Sequence, residues 1–124
     1  MNRPTKILIV DDDLTLCDAL AENFKIKGAE VYIANDAKKG LEVLLKEKPD
    51  VAIIDIMMPY ESGLSFVSHI RDIPEVKNTF CIILTNSIKS EYIAEALEKD
   101  VPVFLQKSNV EPSTIWKIIE DHFK

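Results

Sequence analysis

Acidic residues follow two of the most apolar segments of the chain, and a lysine follows another. Asp11 and Asp12 come directly after one such segment, Asp55 directly after a second, and Lys107 shortly after a third. Carboxylates gathered in one place repel one another unless a cation lies among them, and hard oxygen ligands with room for water favour Mg²⁺. These residue types therefore suit phosphoryl transfer, in which a carboxylate attacks phosphorus beside a divalent ion.

Two side chains extend this hypothesis. Thr85 follows a fourth apolar segment and would donate a hydroxyl to phosphoryl oxygens, while Lys107 would supply a fixed positive charge. A single aspartate after a strand is usually a turn residue or a helix N-cap. We interpret Asp36 as a helix cap and Asp13 as a cap or a solvated acid. The joint occurrence of acids, a hydroxyl and a lysine at corresponding places is what favours a site.

Five apolar runs alternate with segments of helical period. The runs cover residues 7–10, 31–34, 51–54, 81–84 and 103–105. They lack polar alternation, which indicates strands buried on both faces. The helices are marked by apolar residues three or four positions apart: Leu16, Leu20 and Phe24; Leu41, Leu44 and Leu45; Leu64, Val67 and Ile70; Ile93, Ala96 and Leu97; Ile115, Ile118 and Ile119. The pattern predicts a (βα)5, three-layer α/β domain with a parallel sheet.

In an open parallel sheet, ligands bind beyond the carboxyl ends of the strands, where the strand order reverses. The strand order itself does not follow from one sequence. If the order is 2-1-3-4-5, the first and third strands are neighbours, and Asp11, Asp12 and Asp55 converge.

Composition excludes several classes of function. The 124 residues include 21 acidic and 15 basic ones, so the formal net charge is −6. This balance argues against binding nucleic acid or an anionic membrane surface. The chain lacks the run of roughly 18 apolar residues that a membrane span needs, and its two cysteines cannot form a disulfide framework. We expect one domain over residues 1–124, located in a reducing cytoplasm.

The chain resembles the CheY-like receiver domains of two-component response regulators. The resemblance rests on four segments: ILIVDD at residues 7–12, DIMMP at 55–59 followed by Gly63, ILT at 83–85 and FLQK at 104–107. They lie in the family's order and span essentially the whole chain. The resemblance implies a doubly wound, flavodoxin-like fold with sheet order 2-1-3-4-5.

The resemblance also implies a role for each site residue. Asp55 would accept a phosphoryl group from a phosphohistidine of a sensor histidine kinase or a histidine phosphotransfer protein. Asp11, Asp12, Asp55 and the backbone carbonyl of Met57 would hold Mg²⁺. Lys107 would contact the phosphoryl oxygens. The domain would catalyse only its own phosphorylation and dephosphorylation, so we do not expect an enzyme with a separate substrate.

The switch implied by the resemblance uses two further residues. Thr85 would move onto the phosphoryl group, and Phe104 would rotate inward behind it. The surface of the fourth helix, fifth strand and fifth helix would then change and meet an unknown downstream protein. Family members often dimerise through this surface, so a homodimer is a further expectation.

Several residues depart from the family pattern. Ser108 stands where proline usually follows the lysine. Asn86 stands where a small residue usually follows the switch hydroxyl, and it would either crowd the acceptor or hydrogen-bond to the phosphoryl group. Tyr60 and Asp100 stand where glycines are usual. Met57 offers no acid, base or amide to orient water, so we predict slow autodephosphorylation.

Two other functions stay open at this point. Residues 7–15 also match the first motif of haloacid-dehalogenase-type phosphatases, in which Asp11 would be the nucleophile and Asp13 the acid and base. That assignment leaves Asp55 without a role and provides no later acidic strand to hold Mg²⁺. The second alternative is a receiver-like domain that binds a partner without being phosphorylated.

Overall fold

Strands and helices alternate along the chain as the sequence predicts. The computed structural model describes residues 3–124. Its strands are β1 (Lys6–Val10), β2 (Glu30–Ala34), β3 (Val51–Ile54), β4 (Phe80–Thr85) and β5 (Val103–Gln106). Its α-helices are α1 (Leu14–Ile26), α2 (Ala37–Glu47), α3 (Gly63–Asp72), α4 (Ser90–Glu98) and α5 (Pro112–His122), and a 3₁₀ helix (Lys107–Asn109) follows β5.

The strands form one parallel sheet in the order β2-β1-β3-β4-β5. This confirms the doubly wound, flavodoxin-like (βα)5 fold. The chain moves outward from β1 to β2 and then returns past β1 to β3. The strand order therefore reverses between β1 and β3, and the carboxyl ends of these two strands flank the crevice where such folds bind ligands.

Alternate residues of the central strands enter two separate apolar cores. Leu8 and Val10 of β1 lie in the core that also contains Leu44 of α2 and Phe66 of α3. Ile7 and Ile9 of β1 point to the opposite face and lie in a second core. This core also contains Phe24 of α1 and Ile115 and Ile119 of α5. Because both faces are covered, β1, β3 and β4 consist almost wholly of buried residues. This explains why their sequences show no polar alternation.

Two of the departures from the family pattern fall at left-handed backbone positions. Tyr60 has φ 72° and Asp100 has φ 59°. Glycine adopts this conformation without steric cost, whereas a side chain costs roughly 1–2 kcal/mol. The backbone therefore keeps the conformation that glycine usually provides, although these positions carry side chains.

The predicted helix caps are confirmed. The side chain of Asp13 accepts a hydrogen bond from the backbone N–H of Leu16 at the start of α1, and Asp36 accepts one from Lys39 at the start of α2. No helix within residues 3–124 has the length and apolar character needed to cross a membrane.

Candidate functional site

Three carboxylates meet at the carboxyl ends of β1 and β3. Ligand oxygens of Asp11, Asp12 and Asp55 all lie within 4.8 Å of one another. Asp11 and Asp55 are buried, whereas Asp12 is exposed. Backbone hydrogen bonds fix the two buried residues, because the N–H of Asp55 donates to Val10 and that of Asp11 donates to Ala34, each at 3.0 Å. The predicted convergence of the three acids is therefore present in the structure.

Lys107 reaches this cluster from the end of β5. Its Nζ lies 2.8 Å from Asp11 Oδ2 and 2.9 Å from Asp55 Oδ2. Burial disfavours the ammonium, but its hydrogen bonds to both carboxylates outweigh that effect and raise the pKa of Lys107. The lysine is thus held as a cation between two buried acids.

Asp11 carries an electrostatic cost. Burial raises the pKa of its carboxyl, and the hydrogen bonds from Lys107 and from the backbone N–H of Asp13 only partly oppose this. The nearby charge of Asp55 raises the pKa further. A site that keeps like charges together against this cost is suited to bind additional positive charge.

The segment after Asp55 closes tightly against it. The backbone N–H of Met57 donates to Asp55 Oδ1 at 3.3 Å, and the N–H of Gly63 donates to the carbonyl of Ile56 at 2.9 Å. A Cβ added at Gly63 would overlap the backbone carbonyl of Asp55. Gly63 is therefore needed so that the start of α3 can lie directly against the residue that the sequence predicts as acceptor.

The two predicted switch residues lie on β4 and β5. Thr85 is the last residue of β4, is fully buried, and accepts a hydrogen bond through Oγ1 from the backbone N–H of Ser87 at 3.2 Å. Phe104 in β5 is half-buried and packs against the core cluster that includes Ile83 and Ala96. Their roles in switching stay predictions.

One contact was not anticipated from the sequence. Asn86 was expected to crowd the acceptor or to bind the phosphoryl group. Its side-chain oxygen accepts a hydrogen bond from the backbone N–H of Ser108 at 3.1 Å. The expected relation of Asn86 to the phosphoryl group stays a prediction. The peptide between Lys107 and Ser108 is trans. The sequence offered one indication of this contact: Asn86 and Ser108 both depart from the family pattern, and each directly follows a predicted site residue.

The donor set fits Mg²⁺. Asp11, Asp12 and Asp55 offer hard oxygen ligands, and the exposure of Asp12 leaves an open side for water. The carboxylate of Asp13 does not belong to this donor set, because it caps α1. The predicted contribution of the Met57 carbonyl stays a prediction.

The fold and the site together define an α/β domain with an acidic, lysine-containing pocket at the switch point of its sheet. A family model described as the response regulator receiver domain matches residues 7–120. The chain therefore belongs to the receiver domain family of two-component systems. Domains of this family generally bind Mg²⁺ at an acidic pocket and act with histidine kinases or phosphotransfer proteins and with downstream targets.

Solved structures of other proteins superpose closely on the chain. The CheY-like receiver domain protein from Methanospirillum hungatei JF-1 is 25% identical with a TM-score of 0.89, and the match covers 96% of this chain and 93% of that one. Chemotaxis response regulator CheY4 of Vibrio cholerae is 28% identical with a TM-score of 0.86 and coverage of 95% and 98%. The N-terminal domain of an uncharacterised protein from Wolinella succinogenes is 31% identical with a TM-score of 0.85 and coverage of 94% and 92%.

Proposed function

We propose that the chain is a phosphorylation-dependent signalling switch whose phosphoacceptor is Asp55. The donor is a phosphohistidine on a sensor histidine kinase or a histidine phosphotransfer protein. The observation that carries this proposal is the position of Lys107 Nζ, within hydrogen-bond distance of both Asp11 and Asp55 where three carboxylates converge. An ammonium at that point can bind the negatively charged carboxylate before transfer and the negatively charged phosphoryl oxygens after it.

In the proposed transfer, a carboxylate oxygen of Asp55 forms a bond to phosphorus. The bond between phosphorus and the donor imidazole breaks, and the imidazole nitrogen keeps the electron pair. Lys107 exchanges its contact with Asp55 Oδ2 for the phosphoryl oxygens. Asp11, Asp12, Asp55 and the carbonyl of Met57 would hold Mg²⁺, which would supply further positive charge to those oxygens when bound.

Thr85 and Phe104 convert this local change into a change of surface. Thr85 gives up its hydrogen bond from Ser87 and donates its hydroxyl to the phosphoryl group. Phe104 then rotates inward, and the surface of α4, β5 and α5 changes. A downstream protein or a second copy of the chain binds this changed surface. The domain catalyses only its own phosphorylation and dephosphorylation.

Incubation with acetyl phosphate and Mg²⁺, followed by intact mass spectrometry, tests the acceptor. We expect one added phosphoryl group, absent in Asp55→Asn and absent when EDTA is present. A phosphoryl group on Asp11 would favour the phosphatase-type alternative. No uptake from any small donor, together with no binding of beryllofluoride, would favour the domain that only binds a partner.

Light scattering with and without beryllofluoride tests the proposed homodimer. We expect the measured molecular mass of the protein to double when the phosphoryl analogue is bound. An unchanged monomer mass would leave a different downstream protein as the partner of this surface.

A further inference from the structure

A side chain joins the two loops that follow Thr85 and Lys107. Asn86 is the first residue after β4, and Ser108 is the second residue of the 3₁₀ helix after β5. The side-chain oxygen of Asn86 accepts a hydrogen bond from the backbone N–H of Ser108 at 3.1 Å. Each partner of this hydrogen bond directly follows a residue of the site.

This hydrogen bond extends the contact between β4 and β5 beyond the sheet. The last paired residues of the two strands are Thr85 and Gln106. After them β5 turns into the 3₁₀ helix, and regular pairing between the backbones stops. Beyond this point the side chain of Asn86 accepts a hydrogen bond from the segment that follows β5. The backbone on either side of Lys107 is therefore tied to β4.

The position of the Lys107 backbone affects the site because the lysine side chain is long. Its Nζ must lie between Asp11 and Asp55, where it is 2.8 Å and 2.9 Å from their oxygens. A flexible side chain reaches one such point reproducibly only if its Cα is fixed, and displacements of about 1 Å reduce rates strongly. A hydrogen bond to the next residue supplies that restraint.

We propose that Asn86 is a positioning residue for phosphoryl transfer, which fixes the backbone of Lys107 through the N–H of Ser108. This inference rests on the proposed function. Asn86 acts through the lysine and does not touch the phosphoryl group. Its effect must therefore depend on the presence of the Lys107 ammonium.

A double-mutant cycle tests that dependence. Phosphoryl uptake from acetyl phosphate and Mg²⁺ is timed in the wild type, Asn86→Ala, Lys107→Ala and the double variant. We expect Asn86→Ala to slow uptake roughly three- to tenfold, the effect of one exposed hydrogen bond, and to cause no further slowing beside Lys107→Ala. No slowing by Asn86→Ala, or equal slowing in both backgrounds, would overturn the inference. Beryllofluoride affinity in the same four proteins tests the same dependence without phosphoryl transfer. We expect Asn86→Ala to weaken binding only when Lys107 is present.

Asn109→Ala is the matched control. It removes a hydrogen bond of the same 3₁₀ helix, from Asn109 Nδ2 to Gln106 Oε1 at 2.8 Å, without touching Asn86. We expect its uptake rate to stay within about twofold of the wild type, as for an ordinary surface substitution. A loss as large as that of Asn86→Ala would mean that any disturbance of the loop is sufficient, and the inference would fail.

The amide resonance of Ser108 gives a direct readout of the contact. We expect Asn86→Ala to shift this resonance and to increase the hydrogen exchange of that amide, whereas Asn109→Ala leaves the exchange unchanged and shifts the resonance only as a neighbouring substitution does. An unshifted Ser108 amide in Asn86→Ala would overturn the inference. Absence of phosphoryl uptake in the wild type would overturn the proposed function, and uptake in wild type and Asn86→Ala at equal rates would overturn only the role of Asn86.

Discussion

At the two ends of the sheet, the surroundings shift the pKa of an acid in opposite directions: Asp11 is buried and Asp50 is half-buried. At the carboxyl end, burial raises the pKa of Asp11 although Lys107 lies beside it. At the amino end, Asp50 accepts hydrogen bonds from Arg3 at 2.6 Å and 2.9 Å and from the backbone N–H of Lys6 at 2.9 Å. Burial opposes ionisation there too, but these partners outweigh it and lower the pKa of Asp50. Charge therefore costs stability at one end and contributes stability at the other.

Arg71 and Lys107, one cation near each end, also differ in the groups that they bind. Arg71, near the amino end, donates hydrogen bonds to the backbone carbonyls of Lys77, Thr79, Lys99 and Asp100. These hydrogen bonds hold the loop before β4 and the segment after α4 in place, so this guanidinium stabilises the fold. Lys107 instead binds two carboxylates, which is the arrangement that a change of charge can alter. The amino end thus uses these charges for stability, whereas the carboxyl end keeps unfavourable charge, which suits the proposed phosphoryl transfer.

The largest contrast is expected in phosphoryl uptake. Asp11→Asn removes a carboxylate from the acidic cluster and should slow uptake on the order of a hundredfold. Asp50→Asn, at the opposite end, should leave the rate unchanged. Intact mass spectrometry after timed incubation with acetyl phosphate and Mg²⁺ measures both. Equal slowing in the two variants would break the functional distinction between the ends.

Glycine-to-alanine changes should separate the two ends by stability. Gly63→Ala places a Cβ against the backbone carbonyl of Asp55, which cannot yield easily, and should cost about 3 kcal/mol. Gly28, after α1, has φ 95° and nothing within 4 Å of an added Cβ. Gly28→Ala should therefore cost only about 1 kcal/mol, from the backbone conformation. Urea unfolding measures both, and equal losses would contradict the close approach at Gly63.

If the carboxyl end receives a phosphoryl group as proposed, Met57 offers nothing to orient the water that removes it. Met57 is 58% exposed and carries no acid, base or amide. Met57→Asn should shorten the half-life of the phosphorylated protein roughly tenfold, because an amide can hold the attacking water. Radiolabel or mass decay after removal of the donor measures this. A wild-type half-life of seconds would contradict the predicted slow autodephosphorylation.

The same two aspartates should change stability in opposite directions. At neutral pH, Asp11→Asn should raise the free energy of unfolding and Asp50→Asn should lower it. Each change should be only about 0.5–1 kcal/mol, because burial and hydrogen bonds oppose each other at both sites. Denaturant titration measures both values. Changes of the same sign would show that the lysine fully compensates the burial of Asp11.

Acidification should remove this difference. The lowered pKa of Asp50 means that its contribution is fully present above its ordinary pKa of 3.8 and is lost as pH falls through the lower folded pKa. The raised pKa of Asp11 means that its cost develops as pH rises from 3.8 through the higher folded pKa and persists above it. The two variants should therefore diverge most at neutral pH and converge with the wild type in strong acid.

The smallest contrast is expected at two of the left-handed positions, Tyr60 and Asp100. Tyr60 lies in the loop after β3 at the carboxyl end, and Asp100 lies in the loop before β5 at the amino end. Tyr60→Gly should stabilise the domain by about 0.5 kcal/mol, since steric relief exceeds the added entropy of the unfolded chain. Asp100→Gly should be nearly neutral, because aspartate tolerates this conformation better. Thermal unfolding measures both, and destabilisation by Tyr60→Gly would contradict the steric argument.

The sequence predicted the elements well because local chemistry determines them. Buried strands require unbroken apolar runs, and the caps at Asp13 and Asp36 act within three residues of their position. The edges of the strands were less certain: β4 includes Thr85, which was expected to follow it. The order of the strands came from resemblance to a family, because pairing joins residues far apart in the chain.

The candidate site divides in the same way. The sequence by itself determined which side chains follow the strands and hence which acids, hydroxyl and lysine are available to the site. Tertiary structure alone decided that Lys107 lies between Asp11 and Asp55, 96 and 52 positions away, and that Asn86 binds the N–H of Ser108. Such contacts depend on strand order and on the path of two loops after the strands end. Those features are set by the packing of the whole domain and leave no local pattern in the sequence.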